Sequence, residues 1–281
     1  MTENNNGMLI HNYTIPVNGI KKKIIYHFSD VHLTEYDDLS DEEETLKAKV
    51  STGSWEKGRI MFAKNNDESY ADDLQLSTGE HFSNLVSLAE SGDALVMTGD
   101  ICDYINGANM RKIDADLKNA KVPFLAVCGN HDKAEDIPDG YIYSSIKDPV
   151  QILDLGDMLI VGFDDSERQI TSYQIDRLKE ILSQSKPQSK PMIIAMHIPV
   201  MTEGNKEKLI NCGEYFRLNH DFASAETLEF IEILKQNADK IIAVFAGHLH
   251  FANNSEIAPG LTQYVSTQGL LGNVNRYEIG E

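Results

Sequence analysis

Cysteine is scarce in this chain: three residues in 281, Cys102, Cys128 and Cys212, with no Cys-x-x-Cys pair. That argues against a disulfide scaffold and a thiolate zinc site, and reads as buried, reduced thiols in a cytoplasmic protein. Long apolar runs are missing too. No stretch approaches the roughly 20 residues of a membrane span, and the opening "MTENNNGMLI" lacks the basic start and apolar core of a secretion signal. Basic residues are few, 25 Lys and Arg against 44 Asp and Glu, for a formal charge of −19. Nucleic-acid binding relies on clustered Lys and Arg, and no basic stripe with interleaved aromatics is present, so nucleic acid is disfavoured as the main partner. A small anionic substrate remains compatible, because a local metal centre can override the global field.

What the sequence does hold is enough apolar residue, 41% of the chain, to bury a large core. The first residues read as a frayed tail. "MLIHNYTIPV" reads as a strand, Asn18-Gly19 as a hairpin turn, and "KKIIYHFS" as the returning strand. Ser77 with Glu80 forms a capping box ahead of Phe82, Leu85, Val86 and Ala89 at helical spacing. Further helices are expected over Met110 to Ala120, after Thr171 with Gln174, and from about Ala223 to Asn237. Between them lie the strands "ALVMTGD", "PFLAVCGN", "DMLIVGFDD", "KPMIIAMH" and "KIIAVFAGHLH", with "TQYVS" and "VNRYEI" at the end. Strands alternating with helices predict an α/β fold. The whole of 1–281 reads as one domain with surface insertions at 36–69, partly helical, and at 199–222, irregular.

Five of the apolar strands end in Asp, Asn or His: "HFSDVH", "MTGD", "VCGNHD", "AMH" and "FAGHLH". Ligands of α/β sheets lie beyond the carboxyl ends of strands, so these ends are expected to converge. Asp30 and His32 sit two apart, which in extended backbone points both side chains the same way, and His248 and His250 repeat that spacing. Asp100 follows Gly99, Asn130 follows Gly129, and His197 ends its strand alone. Glycine lets the backbone turn and approach closely. This is an oxygen and imidazole donor set, suited to Mn, Fe, Zn or Co. Seven such groups exceed one ion with open positions and suit two ions about 3.5–4 Å apart.

The ordered series DxH, GDxxD, GNHD, a lone His and GHxH, from Asp30 to His250, resembles the calcineurin-like metallophosphoesterases. "SDVHL" and "GHLH" are most similar to the cyclic-nucleotide phosphodiesterase branch. The resemblance implies a sandwich of two mixed sheets flanked by helices in four layers, α/β/β/α. It implies that Asp30, His32 and His250 hold one ion, that Asp100 bridges, and that Asn130, His197 and His248 complete the second. A hydroxide between the ions would attack phosphorus. His131 resembles the family's catalytic histidine, near the leaving oxygen but not a ligand, with Asp103 accepting a hydrogen bond from its ring and raising its pKa. Asp132 is expected only to tie the loop to backbone N–H groups. Protein phosphatases of this family carry arginine after the second Asp of GDxxD, where this chain has Tyr104, which argues against that branch. The expected function is hydrolysis of a small phosphodiester or phosphomonoester. The alternatives are a nuclease and a non-catalytic scaffold for a protein partner.

Several residues stay outside this scheme. His27 is expected in the core and His81 on the surface. His220, with Asn211, Tyr215 and Asn219, carries a minor substrate expectation. The acidic run Asp41 to Glu44 reads as a solvated face or a helix start. For Trp55 two readings stand open, packing the insertion down or lining the site rim.

Overall fold

The computed structural model describes residues 2–5, 7–65, 70, 75–184 and 190–281, so the last four positions of the 36–69 segment lie outside the described residues. Its strands form two six-stranded sheets. The first runs β1 (Thr2–Asn5), β2 (Met8–Ile15), β12 (Asn273–Ile279), β3 (Lys23–Phe28), β4 (Ala94–Thr98), β5 (Phe124–Val127). The second runs β10 (Ser255–Ala258), β11 (Leu261–Val265), β9 (Ile241–Ala246), β8 (Met192–Ala195), β7 (Leu159–Phe163), β6 (Val150–Asp154).

Side-chain alternation builds the layers. On β4, Ala94 and Val96 face the second sheet, while Leu95 and Met97 face α2 (Thr78–Ala89) and α3 (Gly107–Asn119). On β8, Ile193 and Ala195 face the first sheet, while Met192 and Ile194 face α4 (Ser172–Gln184) and α6 (Ala225–Gln236). Strands buried on both faces read as continuous apolar runs, which is how these appear in the sequence. The result is the four-layer α/β/β/α arrangement.

The capping box forms as expected: Ser77 Oγ accepts from Glu80 N–H at 3.1 Å and the Glu80 carboxylate from Ser77 N–H at 2.8 Å. Asp41 Oδ1 accepts from Glu44 N–H at 2.8 Å, so the acidic run is the start of α1 (Glu42–Asn65). The 199–222 segment contains one short helix, α5 (Lys206–Cys212). Cys102 and Cys128 are buried free thiols, and Cys212 is free but half-buried.

Three expectations are corrected. β2 and β3 do not pair as a hairpin: β12 lies between them, parallel to β2 and antiparallel to β3. Asn18-Gly19 does turn, with Gly19 at φ 80°, but the connection is long enough for a third strand to enter. The first residues are not frayed, since β1 pairs antiparallel with β2. His81 is fully buried rather than on the surface, because its turn of α2 faces the Gly272 backbone.

Candidate metal centre

β3, β4 and β5 run parallel in one sheet, and β8 and β9 run parallel in the other. Their carboxyl ends therefore collect at one edge of the sandwich, where the five polar strand ends meet. Asp30 and His32 do not lie in extended backbone as their spacing suggests. Both are left-handed, at φ 56° and 49°, as are Asp100 (51°), His248 (71°) and His250 (58°). Among the described residues only one other non-glycine residue, Arg168, has a positive φ. Each such residue costs about 1–3 kcal/mol, and such strain concentrates where geometry serves function. The glycines do what the close approach requires. A Cβ on Gly129 would lie 2.1 Å from Asp100 Oδ1, and one on Gly99, itself at φ 81°, 2.7 Å from His197 Nδ1.

Among the described residues three overlapping clusters of donor atoms result, each with atoms within 4.8 Å of one another: Asp30, His32 and His250 at one end, Asp100, His197 and His248 at the other, and His32, Asp100 and His131 joining them. His197 Nδ1 lies 2.7 Å from the Thr98 carbonyl. A carbonyl only accepts, so Nδ1 carries the proton and Nε2 faces inward. Around that Nε2 stand Asp100 Oδ2 at 3.3 Å, Asn130 Oδ1 at 3.2 Å and His248 Nδ1 at 3.2 Å. His248 is fixed the same way, its Nε2–H donating to the Tyr215 carbonyl at 3.2 Å. One N–H cannot serve three acceptors, but a cation can.

In the other cluster, His32 Nε2 and His250 Nε2 face each other at 3.0 Å, and His250 Nε2 lies 3.3 Å from Asp30 Oδ1. That Asp30 oxygen is fully buried without a hydrogen-bond partner. Asp100 Oδ2 reaches both clusters, standing 3.9 Å from His32 Nε2. Orphaned and converging acceptors of oxygen and nitrogen type fit bound cations.

The electrostatics agree. Burial alone would raise Asp30 and Asp100, yet the surrounding imidazoles outweigh it: Asp30 falls to about 2 and Asp100 lies well below the carboxylate range. Burial would lower His197, but the Asp100 carboxylate lifts it to about 10. Burial, reinforced by His197, takes His248 down to about 3. Without ions, protons supply the positive charge these carboxylates demand; a cation among them would replace those protons.

His131 lies in the joining cluster with His32 and Asp100. Burial acts to lower its pKa, but Asp103 and Asp100 raise it to about 9. Its Nδ1 meets Asp103 twice, through the backbone carbonyl at 2.9 Å and the carboxylate at 3.3 Å. The same carboxylate oxygen lies 3.5 Å from His32 Nδ1, and Ser51 Oγ donates to its partner oxygen at 2.8 Å. Asp103 therefore orients His131 and lies within ion-pair range of His32, whose Nδ1 has no hydrogen-bond partner. Asp132 ties the loop as anticipated. It accepts from the N–H groups of Gly129, Asp100, Ile101 and Cys102 and from Tyr143 Oη.

A second brace escaped the sequence reading. Asp165, buried at the end of β7, accepts from His197 N–H at 2.8 Å and Ile198 N–H at 2.9 Å. The signal was present in "GFDD", a sixth apolar strand ending in carboxylates. Trp55 resolves toward the rim: its ring lies 4.2 Å from His32 and stacks on His250 at 5.5 Å. Trp55, Phe62, Tyr215 and Phe216 wall a cleft of about 180 Å³ whose floor includes Asp100, Asn130, His131, His248 and His250. His220 is instead taken up in the loop, its ring meeting the Arg168 carbonyl and the Phe222 N–H.

Two mixed sheets between helices, with a carboxylate–imidazole centre at their shared edge, define a four-layer sandwich of the metallophosphoesterase type. Residues 24–252 match the family described as calcineurin-like phosphoesterase, and the chain belongs to that family of phosphoric ester hydrolases. It is 29% identical over 144 residues to the DNA double-strand break repair protein Mre11 of Sulfurisphaera tokodaii, covering 46% of this chain and 35% of that protein. The Mre11 of Sulfolobus acidocaldarius is 28% identical over 137 residues, covering 43% and 35%. The chain thus matches about a third of the length of these curated relatives. A dimetal phosphatase from Danio rerio has the same fold, with TM-score 0.55 and 12% identity over 88% of each chain.

Proposed function

We propose that this chain hydrolyses small phosphate monoesters or diesters at a two-ion centre. The carrying observation is the pair of donor clusters, Asp30, His32 and His250 and Asp100, His197 and His248, which are linked through His32 and Asp100. Asp30, His32 and His250 would hold one ion, and Asn130, His197 and His248 the other, with Asp100 between. The N and O donors suit Mn, Fe, Zn or Co. When bound, such ions offset the charge of a phosphoester and lower the pKa of water beside them.

The chain's own residues do the rest. His131 keeps its Nδ1 proton on Asp103 and stands in the cleft wall, so Nε2 can protonate the leaving oxygen. Asp103 favours the protonated ring by accepting from its Nδ1. It positions His131 and lies within ion-pair range of His32. The aromatic walls exclude water and strengthen charge interactions inside the cleft. The 36–69 and 199–222 segments, as insertions on one 1–281 domain, would then be the parts that select substrate, since they supply those walls. The three cysteines are free thiols, and among the described residues no helix is long and apolar enough to cross a membrane.

The test is hydrolysis of a chromogenic monoester and diester pair after loading with Mn, Fe, Zn or Co. Turnover of at least one is expected; turnover of neither would overturn the proposal. A nuclease reading draws support from the Mre11 relatives and is opposed by the −19 charge. A DNA oligonucleotide in the same assay separates the two. A scaffold is disfavoured by the converging carboxylate and imidazole donors.

A further inference from the structure

The cleft contains no lysine or arginine: its polar lining is Asp100, Asn130, His131, His248 and His250. The position that carries arginine in the protein phosphatase branch is Tyr104 here. The arginine nearest by ring contacts comes from a different loop. Arg168 lays its guanidinium over the Tyr215 ring, 5.1 Å from the centroid, and Tyr215 in turn lies 5.4 Å from His248. The cation therefore packs on Tyr215, a wall residue of the cleft, two ring contacts from the centre.

Its placement is built. Arg168 N–H donates to the Asp165 carbonyl at 2.7 Å, and its own carbonyl meets His220 Nε2 at 3.2 Å. Asp165 braces His197, and His220 belongs to the loop of Tyr215, so both anchors belong to the site's frame. The backbone is held at φ 58°, a conformation glycine would adopt without strain. The neighbouring acids are engaged elsewhere: Glu167 with Lys133, Glu214 and Asp221 with Arg217. Among the described residues Arg168 makes no ion pair. In a chain with 44 acids to 25 bases, a half-buried, strained arginine without a carboxylate partner is poised for an anion from outside.

We propose that Arg168 is a specificity-determining residue that binds a second anionic group of the substrate, remote from the phosphorus attacked. This rests on the phosphoesterase reading and adds the substrate class: phosphoesters carrying a further phosphate or carboxylate. The guanidinium fork suits either group.

The experiment compares wild type, Arg168→Gln and Arg168→Gly on three Mn-loaded probes. 4-Nitrophenyl phosphate has one anionic group, ADP adds a phosphate, and phosphoglycolate adds a carboxylate. Wild type is expected to show a lower KM for at least one two-anion probe. Both variants should raise that KM about tenfold or more, the worth of one charge-assisted hydrogen bond, with kcat within about twofold. Their 4-nitrophenyl phosphate kinetics should stay unchanged. Which two-anion probe responds identifies phosphate or carboxylate. Arg168→Gly should also match or exceed wild type in Tm, because it releases the strained φ; a merely structural arginine would lower Tm and impair all probes alike. Equal losses on all three probes, or no loss on either two-anion probe, would overturn the proposal. If wild type hydrolyses none, the phosphoesterase reading fails instead. Calorimetric titration with pyrophosphate and orthophosphate then decides Arg168 alone: selective weakening of pyrophosphate in the variants supports the role, and its absence overturns it.

Discussion

At the scale of single residues, the opening of the GNHD loop divides its labour sharply. Asn130 turns its amide oxygen to His197, His131 faces the cleft, and Asp132 gathers backbone N–H groups. The distinction predicts different failures. His131→Ala should lower kcat by about 10²–10⁴, the usual range for a general acid, while metal content stays at the wild-type level. Metal analysis beside kinetics checks it. Loss of metal with activity would make His131 a ligand and refute its assigned role. The convergence of these polar strand ends was legible in the residue types, whereas the separate roles of Asn130 and His131 came from the resemblance to the family. The left-handed backbone at Asp30, His32, Asp100, His248 and His250 was not legible. Two-residue spacing looks like an extended strand, and only the need to aim donors inward explains the strain. Trp55 was undecidable because a lone tryptophan packs or lines a site with the same sequence signature.

At the scale of elements, the mostly apolar inter-sheet layer holds His27 of β3 beside Thr98 and Tyr277. The His27 ring stacks on Phe245 of β9 at 4.9 Å and meets Thr98 Oγ1 at 2.8 Å. Burial takes its pKa down to about 3, against the small opposing pull of Asp30. The unfolded chain protonates this histidine near 6.5, whereas the folded one resists until about 3, so the unfolded state binds more protons between those values. Its stabilising contribution is therefore complete above pH 6.5 and is lost as pH falls toward 3, by up to about 1.4 kcal/mol per unit. Thermal unfolding from pH 8 to 4 should show a steeper loss for wild type than for His27→Phe. Parallel slopes would show that His27 does not titrate between the states. Elements with strong local signals, such as the capped α2 and the apolar β4, β8 and β9, were readable. The pairing of β12 between β2 and β3 was not, since a turn signal reports a reversal and not which strand arrives as neighbour. β6 and β10 were missed because their edge positions leave alternate residues exposed.

At the scale of the molecule, two sheets from distant parts of the chain share one edge, and the centre exists only where they meet. Asp30, Asp100 and Asn130 follow strands of the first sheet, His197 and His248 strands of the second. Convergence could be inferred from five loaded strand ends, but the bracing by Asp165 and the aromatic walls depend on loops meeting in space. An overall charge of −19 is compatible with an anionic substrate only if the centre carries cations of its own. The metal content of the purified chain, measured after Mn loading and removal of free metal, tests this most directly. The account predicts two ions per chain, with Asp100→Asn losing affinity for both because its carboxylate touches both clusters. One ion or none in the wild-type chain would contradict it.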